Sequence, residues 1–317
     1  MWHRLTCEAQ TSTLTVTALA HSYMNVGVLG AGTMGHGIAQ VSAMAGHEVV
    51  VRDIDADVVA DGLAAIEANL QGGVDREKVT PEAMEEALDR ISGTTDLEDA
   101  LSDADLLVEA VPEDVSLKQS VFEEAESVAP DDCVFGTNTS SLSVTEIAST
   151  LDDPTRAIGL HFFNPVHIMG LVEVVVAEQT AEETVEFARE YVEGIDKTVV
   201  EVRDSAGFAS SRLGVALGVE AIRMLEEGVA APRDIDQAMV EGYNHPMGPI
   251  ALGDVVGLDV RLDILEHLRE ELGERFRPPQ LLRQKVRAGK LGRKTGEGFY
   301  VWEDGEIVGT TDNWEGR

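Results

Sequence analysis

The segment that most narrows the choice of fold is Gly30-Ala31-Gly32-Thr33-Met34-Gly35, which follows a short apolar run from Asn25 to Leu29 and precedes a helical stretch to about Ala45. Glycines alone serve packing in many proteins. Between a strand and a helix, three of them at this spacing have separate tasks: Gly30 permits a tight turn, Gly32 lets the backbone approach a pyrophosphate, and Gly35 allows the helix to lie close on the strand. Free N–H groups at the helix start then face the phosphates. A second apolar run ends on Asp53, 18 residues beyond Gly35, where a carboxylate accepts hydrogen bonds from ribose hydroxyls. The expected cofactor contacts are therefore Gly30, Gly32, Thr33, Met34, Gly35 and Asp53. A carboxylate at this place repels a 2′-phosphate, which favours NAD over NADP.

Strands and helices continue to alternate after this motif. EVVVRD is followed by a helical stretch from about Asp57 to Leu70, and Thr80-Pro81 opens another to about Arg90. DLLVEAV at 105–111 and CVFGTN at 133–138 read as strands, and Ser143 with Glu146 forms a capping box for a short helix. AIGLHFF, LVEVVV and TVVEV are further strands, with a helix from about Ala181 to Glu193 before the last. This alternation predicts an α/β fold with a Rossmann-type, parallel, doubly wound sheet over residues 24–203. From Gly207 the periodicity is helical, which predicts an all-helical C-terminal domain over 204–303 and a loose acidic tail over 304–317. Residues 1–23 read as a dispensable extension, because Met24 directly precedes a strand that needs nothing before it.

Length agrees with two domains, since 317 residues is about twice the usual ~150 per domain. Fifty-eight acidic residues against 24 basic ones leave a formal charge of -34. Such a field repels nucleic-acid phosphates and anionic lipid head groups, so neither nucleic acid nor membrane is an expected partner. Only six of the cations are lysine, and the acids are spread along the whole chain, a pattern suited to a halophile whose salt screens self-repulsion. Residues 9–47 lack Asp, Glu, Lys and Arg, yet their glycines, threonines and serines argue against a membrane span. Cys7 and Cys133 supply neither a disulfide framework nor metal-ligand spacing, which fits a reducing cytoplasm and no bound metal.

Two side chains suggest the chemistry. Oxidising an alcohol by hydride transfer needs a base for the hydroxyl proton, and histidine has a suitable pKa. His161 stands at the end of a strand with Asn164-Pro165 turning behind it, where open α/β sheets place their reactive groups. Glu173 lies in the otherwise apolar run LVEVVV, and a carboxylate there needs a partner to offset its burial. A His161–Glu173 pair meets that need, orients the imidazole and stabilises its cationic form.

VEAVPEDVSLK, NTSSLSVTEIA, HFFNPVHIMGLVEVV, HPMGP and GRKTGEGFY occur in order between about Met24 and Val301. In these motifs the chain resembles the L-3-hydroxyacyl-CoA dehydrogenase family, which includes the 3-hydroxybutyryl-CoA dehydrogenases. The resemblance implies an NAD-dependent oxidation of an acyl-CoA 3-hydroxyl to a ketone, with His161 and Glu173 as the catalytic dyad and a homodimer formed through the helical domain. It gives Ser140 a hydrogen bond to the substrate oxygen and some contact with cofactor, and places Asn164 near the nicotinamide. It makes Glu113, Lys118 and Lys294 cofactor contacts. For the CoA it points to the helical hairpin at about 57–92, with Asn69, Arg76 and Lys78 as candidates.

One position departs from the family pattern: Ser211 stands where many relatives have an asparagine that helps to orient substrate or nicotinamide. Two other functions are compatible with the fold. A dehydrogenase of a sugar acid or small hydroxy acid is disfavoured by HFFNP, the dyad and the hairpin, and a non-catalytic NAD-binding regulator by the presence of His161, Glu173 and Ser140 together.

Overall fold

The computed structural model describes residues 23–311. Apart from Tyr23, the extension expected at 1–23 lies outside the described residues, as do the last six residues of the expected tail. The strand-rich part begins with β1 (Asn25–Leu29), α1 (Gly35–Met44), β2 (Glu48–Arg52), α2 (Ala56–Asp75), α3 (Pro81–Asp89) and β3 (Ile91–Thr94). It continues with α4 (Leu97–Leu101), β4 (Leu106–Glu109), α5 (Val115–Glu126), β5 (Val134–Thr137), α6 (Val144–Ala148) and β6 (Ala157–Phe162). β7 (Leu171–Val176), α7 (Glu182–Gly194) and β8 (Thr198–Arg203) complete it.

The eight strands form one sheet in the order β3-β2-β1-β4-β5-β6-β7-β8. The order turns back between β1 and β4, so a crevice opens beyond the carboxyl ends of these two strands, where doubly wound sheets bind ligands. Val26, Val28, Val49, Val51, Leu106 and Val108 are buried between the helices on one face, while Leu29, Leu107 and Phe135 pack on the other. Helix starts follow their sequence signals: Thr80 Oγ1 accepts from Ala83 N at 3.2 Å ahead of Pro81, and Ser143 Oγ accepts from Glu146 N at 3.2 Å.

Four expectations need correction. The sheet is not wholly parallel, because β7 pairs antiparallel with β6 and carries β8 parallel to itself. The link from Phe163 to Gly170 is too short for a parallel crossover, which takes a dozen or more residues. α2 runs past Leu70 to Asp75, since Gly73 has no side chain to block Val79 as the chain returns into α3. The polar edge strand β3 and helices α4 and α5 carry weak apolar periodicity and escaped the sequence reading, although Asp96 and Asp114 cap the two helices.

The fourth correction concerns the C-terminal part. It consists of α8 (Ser210–Glu226), α9 (Pro232–Tyr243), α10 (Pro249–Val256), α11 (Leu258–Leu272) and α12 (Gln280–Arg287), followed by a hairpin of β9 (Tyr300–Glu303) and β10 (Glu306–Thr310). It is therefore helical but not all-helical, and the expected tail from 304 begins as a strand. Asp304 and Gly305 both have positive φ, the Asp-Gly pairing that closes tight hairpins. Buried Asp254 fastens this hairpin by accepting from Phe299 N, Tyr300 N and Trp302 Nε1 at 2.9, 2.9 and 3.0 Å. Asp236 accepts from Ile250 N, Ala251 N and the Tyr300 hydroxyl at 2.7, 2.9 and 2.7 Å. Val215, Val219, Ile222 and Leu225 form the inward stripe of α8 at helical spacing. Among the described residues no helix is long and apolar enough to cross a membrane.

Candidate active site

At the carboxyl end of β1 the backbone turns through Gly30 at φ +101°, a conformation that side-chain-bearing residues rarely adopt. Its N–H donates to Arg52 O at 2.8 Å, joining the turn to β2. A Cβ on Gly35 would stand 1.7 Å from Gly30 O, so α1 approaches the turn only because position 35 is glycine. A Cβ on Gly32 would meet no atom within 4 Å, which leaves that stretch of backbone open to a ligand. Thr33 is exposed, and Met34 starts α1 without a side-chain cap or an acidic residue in the first turn. The helix thus presents uncapped N–H groups to an anion. Asp53 Oδ2 accepts from Ala31 N at 3.0 Å, while Oδ1 receives only a 3.4 Å bond from Asp55 N and retains capacity for a hydroxyl. These residues fit a dinucleotide.

The neighbouring loops are tied together by buried charge. Glu109, at the end of β4, accepts from Lys118 Nζ at 2.7 Å, Val111 N at 2.7 Å and Thr137 Oγ1 at 2.6 Å. Lys118 also lies 3.4 Å from Glu113, and its side chain is 1% exposed. Its ammonium is committed to Glu109, Glu113 and the Val111 carbonyl, so it holds the loop that a cofactor would meet. Glu113 Oε1 accepts from Thr139 Oγ1 at 2.7 Å, Ser140 N at 2.8 Å and Ser140 Oγ at 3.2 Å. Burial alone raises the Glu113 carboxyl; Lys118, Thr139 and Ser140 outweigh it and hold the carboxyl below the usual range. Ser140 is thereby fixed on the loop that follows β5, the strand next to β6 in the sheet.

On β6 and β7, His161 and Glu173 are direct cross-strand partners. His161 Nδ1 lies 2.8 Å from Glu173 Oε2, with side chains 7% and 0% exposed. The Phe163 and Phe208 rings stand 4.5 and 5.6 Å from the imidazole. Burial pushes the Glu173 carboxyl up, but bonds from His161 and from the hydroxyl and amide of Ser210 bring it below its ordinary value. Ionised Glu173 accepts, so Nδ1 carries the hydrogen and Nε2 is the free acceptor. The pair can take a proton and stabilise the cation that results.

The remaining candidates are more dispersed. Asn164 is exposed on the loop after β6, and Lys294 forms a 2.6 Å ion pair with Asp259 within the helical part. Asn69 is half-buried on α2, whereas Arg76 and Lys78 are exposed at the turn into α3. Burial, followed by the charges of Arg76, His36 and Lys197, lowers the pKa of His167 on the β6–β7 link. The side chain of Ser211 makes no hydrogen bond with a described residue. Sequence reasoning missed Glu109, Asn138, Ser210 and His267. Asn138 Oδ1 accepts from Phe162 N at 2.9 Å, and His267 Nε2 meets Ser141 O at 3.0 Å from α11. Glu109 carried a readable signal, a lone acid in the apolar run LLVEAV.

The 3-hydroxyacyl-CoA dehydrogenase NAD binding domain matches residues 25–205, and the 3-hydroxyacyl-CoA dehydrogenase C-terminal domain matches 207–302. A 3-hydroxybutyryl-CoA dehydrogenase of Clostridioides difficile is 42% identical over 278 residues, 87% of this chain and 99% of that protein. The crystal structure of (S)-3-hydroxybutyryl-CoA dehydrogenase PaaH1 from Ralstonia eutropha superposes with a TM-score of 0.85 at 39% identity, covering 89% of this chain and 100% of the other. FadB2 of M. tuberculosis gives a TM-score of 0.85 at 42% identity with the same coverage. On a Rossmann-like sheet carrying the glycine turn and the buried His–Glu pair, these matches establish that the chain belongs to the 3-hydroxyacyl-CoA dehydrogenase family.

Proposed function

We propose that this chain oxidises the 3-hydroxyl of an acyl-CoA thioester to a ketone, with His161 Nε2 taking the hydroxyl proton. The observation that carries this reading is the buried 2.8 Å contact between His161 and Glu173. Glu173 orients the ring and stabilises the imidazolium formed as the proton arrives. Ser140, held by Glu113, positions the substrate oxygen, and Asn164 lies on the loop that approaches the nicotinamide. NAD, when bound, supplies the hydride acceptor. The glycine turn receives its pyrophosphate, Asp53 a ribose hydroxyl, and Glu113 and Lys118 shape the adjoining loop. Lys294 is assigned to the cofactor side and would have to leave Asp259 to reach it. Asn69, Arg76 and Lys78 lie on the side assigned to the CoA, where Arg76 and Lys78 supply positive charge in an otherwise acidic chain. The relatives' names favour a short acyl group.

The test follows NADH absorbance. L-3-hydroxybutyryl-CoA should support NADH formation and free 3-hydroxybutyrate should not. His161→Gln should lower kcat by about 10² or more while NADH binding persists. Full turnover in that variant, or equal rates with the free acid, would defeat the reading.

The same reading divides the chain into an NAD-binding domain at 24–203 and a helical domain at 204–303, and makes the working form a cytoplasmic homodimer adapted to salt. Supporting it are the charge of -34 and the outward apolar side chains Leu213, Val229 and Tyr243 of the helical part, exposed by 71%, 58% and 75%. Sedimentation should show a dimer that weakens as salt falls from about 3 M to about 0.1 M, because self-repulsion grows as screening weakens. A monomer at both salts, or a dimer indifferent to salt, refutes that part, and cell fractionation checks the compartment.

A further inference from the structure

We propose that Ser210 is a positioning residue that sets how firmly the His161–Glu173 dyad holds its proton, acting on the carboxylate from the first turn of α8. The inference rests on His161 being the base. Glu173 Oε1 accepts from Ala209 N at 3.1 Å and Ser210 N at 2.8 Å. Oε2 accepts from Ser210 Oγ at 2.7 Å and is also the oxygen that meets His161 Nδ1 at 2.8 Å. With four donors, the acceptor sites of the carboxylate are filled. The chain reaches this arrangement through consecutive positive φ values at Gly207, +73°, and Phe208, +47°, which turn the start of α8 toward the strand.

Two of these four donors are backbone N–H groups that any residue other than proline provides. The hydroxyl is specific to the side chain at 210. It competes with His161 for the same oxygen, drawing electron density from the bond that stabilises the imidazolium. The bonds to Glu173 come from His161, Ala209 and Ser210, the β8 residue opposite it is Val200, and Phe163 and Phe208 supply the rings beside the imidazole. The nearest charged residue along α8 is Arg212, which makes no bond to the dyad. Ser210 therefore loosens the hold of Glu173 on the imidazolium while helping to keep the carboxyl ionised.

The test is the pH dependence of kcat/KM for L-3-hydroxybutyryl-CoA at saturating NAD. Ser210→Ala leaves Oε2 to His161 alone, so the acid limb should move to higher pH by about half a unit. That shift appears as an about threefold loss on the acid side, with convergence toward the parent rate on the alkaline plateau. Ser210→Thr, which keeps a hydroxyl, should restore the parent limb. If Ser210→Ala does not fold, Ser210→Cys supplies a weaker donor and should give a smaller shift in the same direction. A limb that stays fixed or moves to lower pH overturns the inference, even with a uniform fall in rate, because that pattern marks a structural role. Failure here with His161→Gln inactive leaves the base assignment standing, whereas full turnover in His161→Gln removes both.

Discussion

In the strand-rich part, buried Glu109 and Glu173 meet side chains that carry or gain positive charge, Lys118 at 2.7 Å and His161 at 2.8 Å. In the helical part, buried Asp236 and Asp254 are met by backbone amides, the Tyr300 hydroxyl and the Trp302 indole. Burial raises both aspartates, and their neutral donors, joined at Asp254 by the charge of Lys285, only partly offset it, whereas the bonds on Glu173 outweigh its burial. The contrast separates two uses of a hidden carboxylate. Paired with histidine it accommodates a charge that appears during turnover; surrounded by neutral donors it joins segments distant in the chain.

Removing a joining carboxylate should have the largest effect. Asp254→Ala leaves three donors without their acceptor and should destabilise the fold by about 3 to 5 kcal/mol, read as a lower denaturant midpoint. A midpoint within error of the parent would mean that the hairpin is held by its apolar contacts. Glu173→Gln should lower kcat by about 10², equivalent to about 2.7 kcal/mol, with a smaller midpoint change than Asp254→Ala. An equally large midpoint loss would place Glu173 with the structural carboxylates and erase the contrast.

Acid gives the smallest and most discriminating test. Glu113 and Glu173 are held below their ordinary values, so the stability they contribute is present above the unfolded carboxylate range and lost as pH falls through their lower folded values. Asp236 and Asp254 are raised, so keeping them ionised costs stability at neutral pH, and that cost is relieved as pH falls through their raised values. Hydrogen exchange corrected for intrinsic rates, followed from about pH 6 to below about pH 4, should first show Phe299–Trp302 holding or gaining protection. Leu171–Val176 should lose protection only toward the acid end. Parallel loss in both segments at one pH would show that their carboxylates do not behave differently.

Much of this arrangement is legible in the sequence because local signals carry it. The glycine turn, Asp53, the cap at Thr80 and the isolated Glu173 all depend on near neighbours or on a break in a strand pattern. The direction of β7 was equally accessible from the short Phe163–Gly170 link, and the terminal hairpin from Asp304-Gly305. The role of Ser210 was not, because its partner lies 37 residues away and the bond exists only when α8 rests on the sheet. Lys118 illustrates the same limit: its position suggests a cofactor contact, and only the folded structure shows the charge enclosed between two glutamates.

The antiparallel pairing of β6 with β7 has a consequence for how the enzyme can fail. Because His161 and Glu173 face each other across one rung of the ladder, sliding β7 by a single residue would carry the carboxylate to the opposite face of the sheet. Turnover thus reports on alignment at the far end of a long β-sheet. A chain that regained its helices and most of its strands after denaturation, yet mispaired this one, would have native-like secondary structure and bind cofactor at the distant glycine turn while remaining chemically silent.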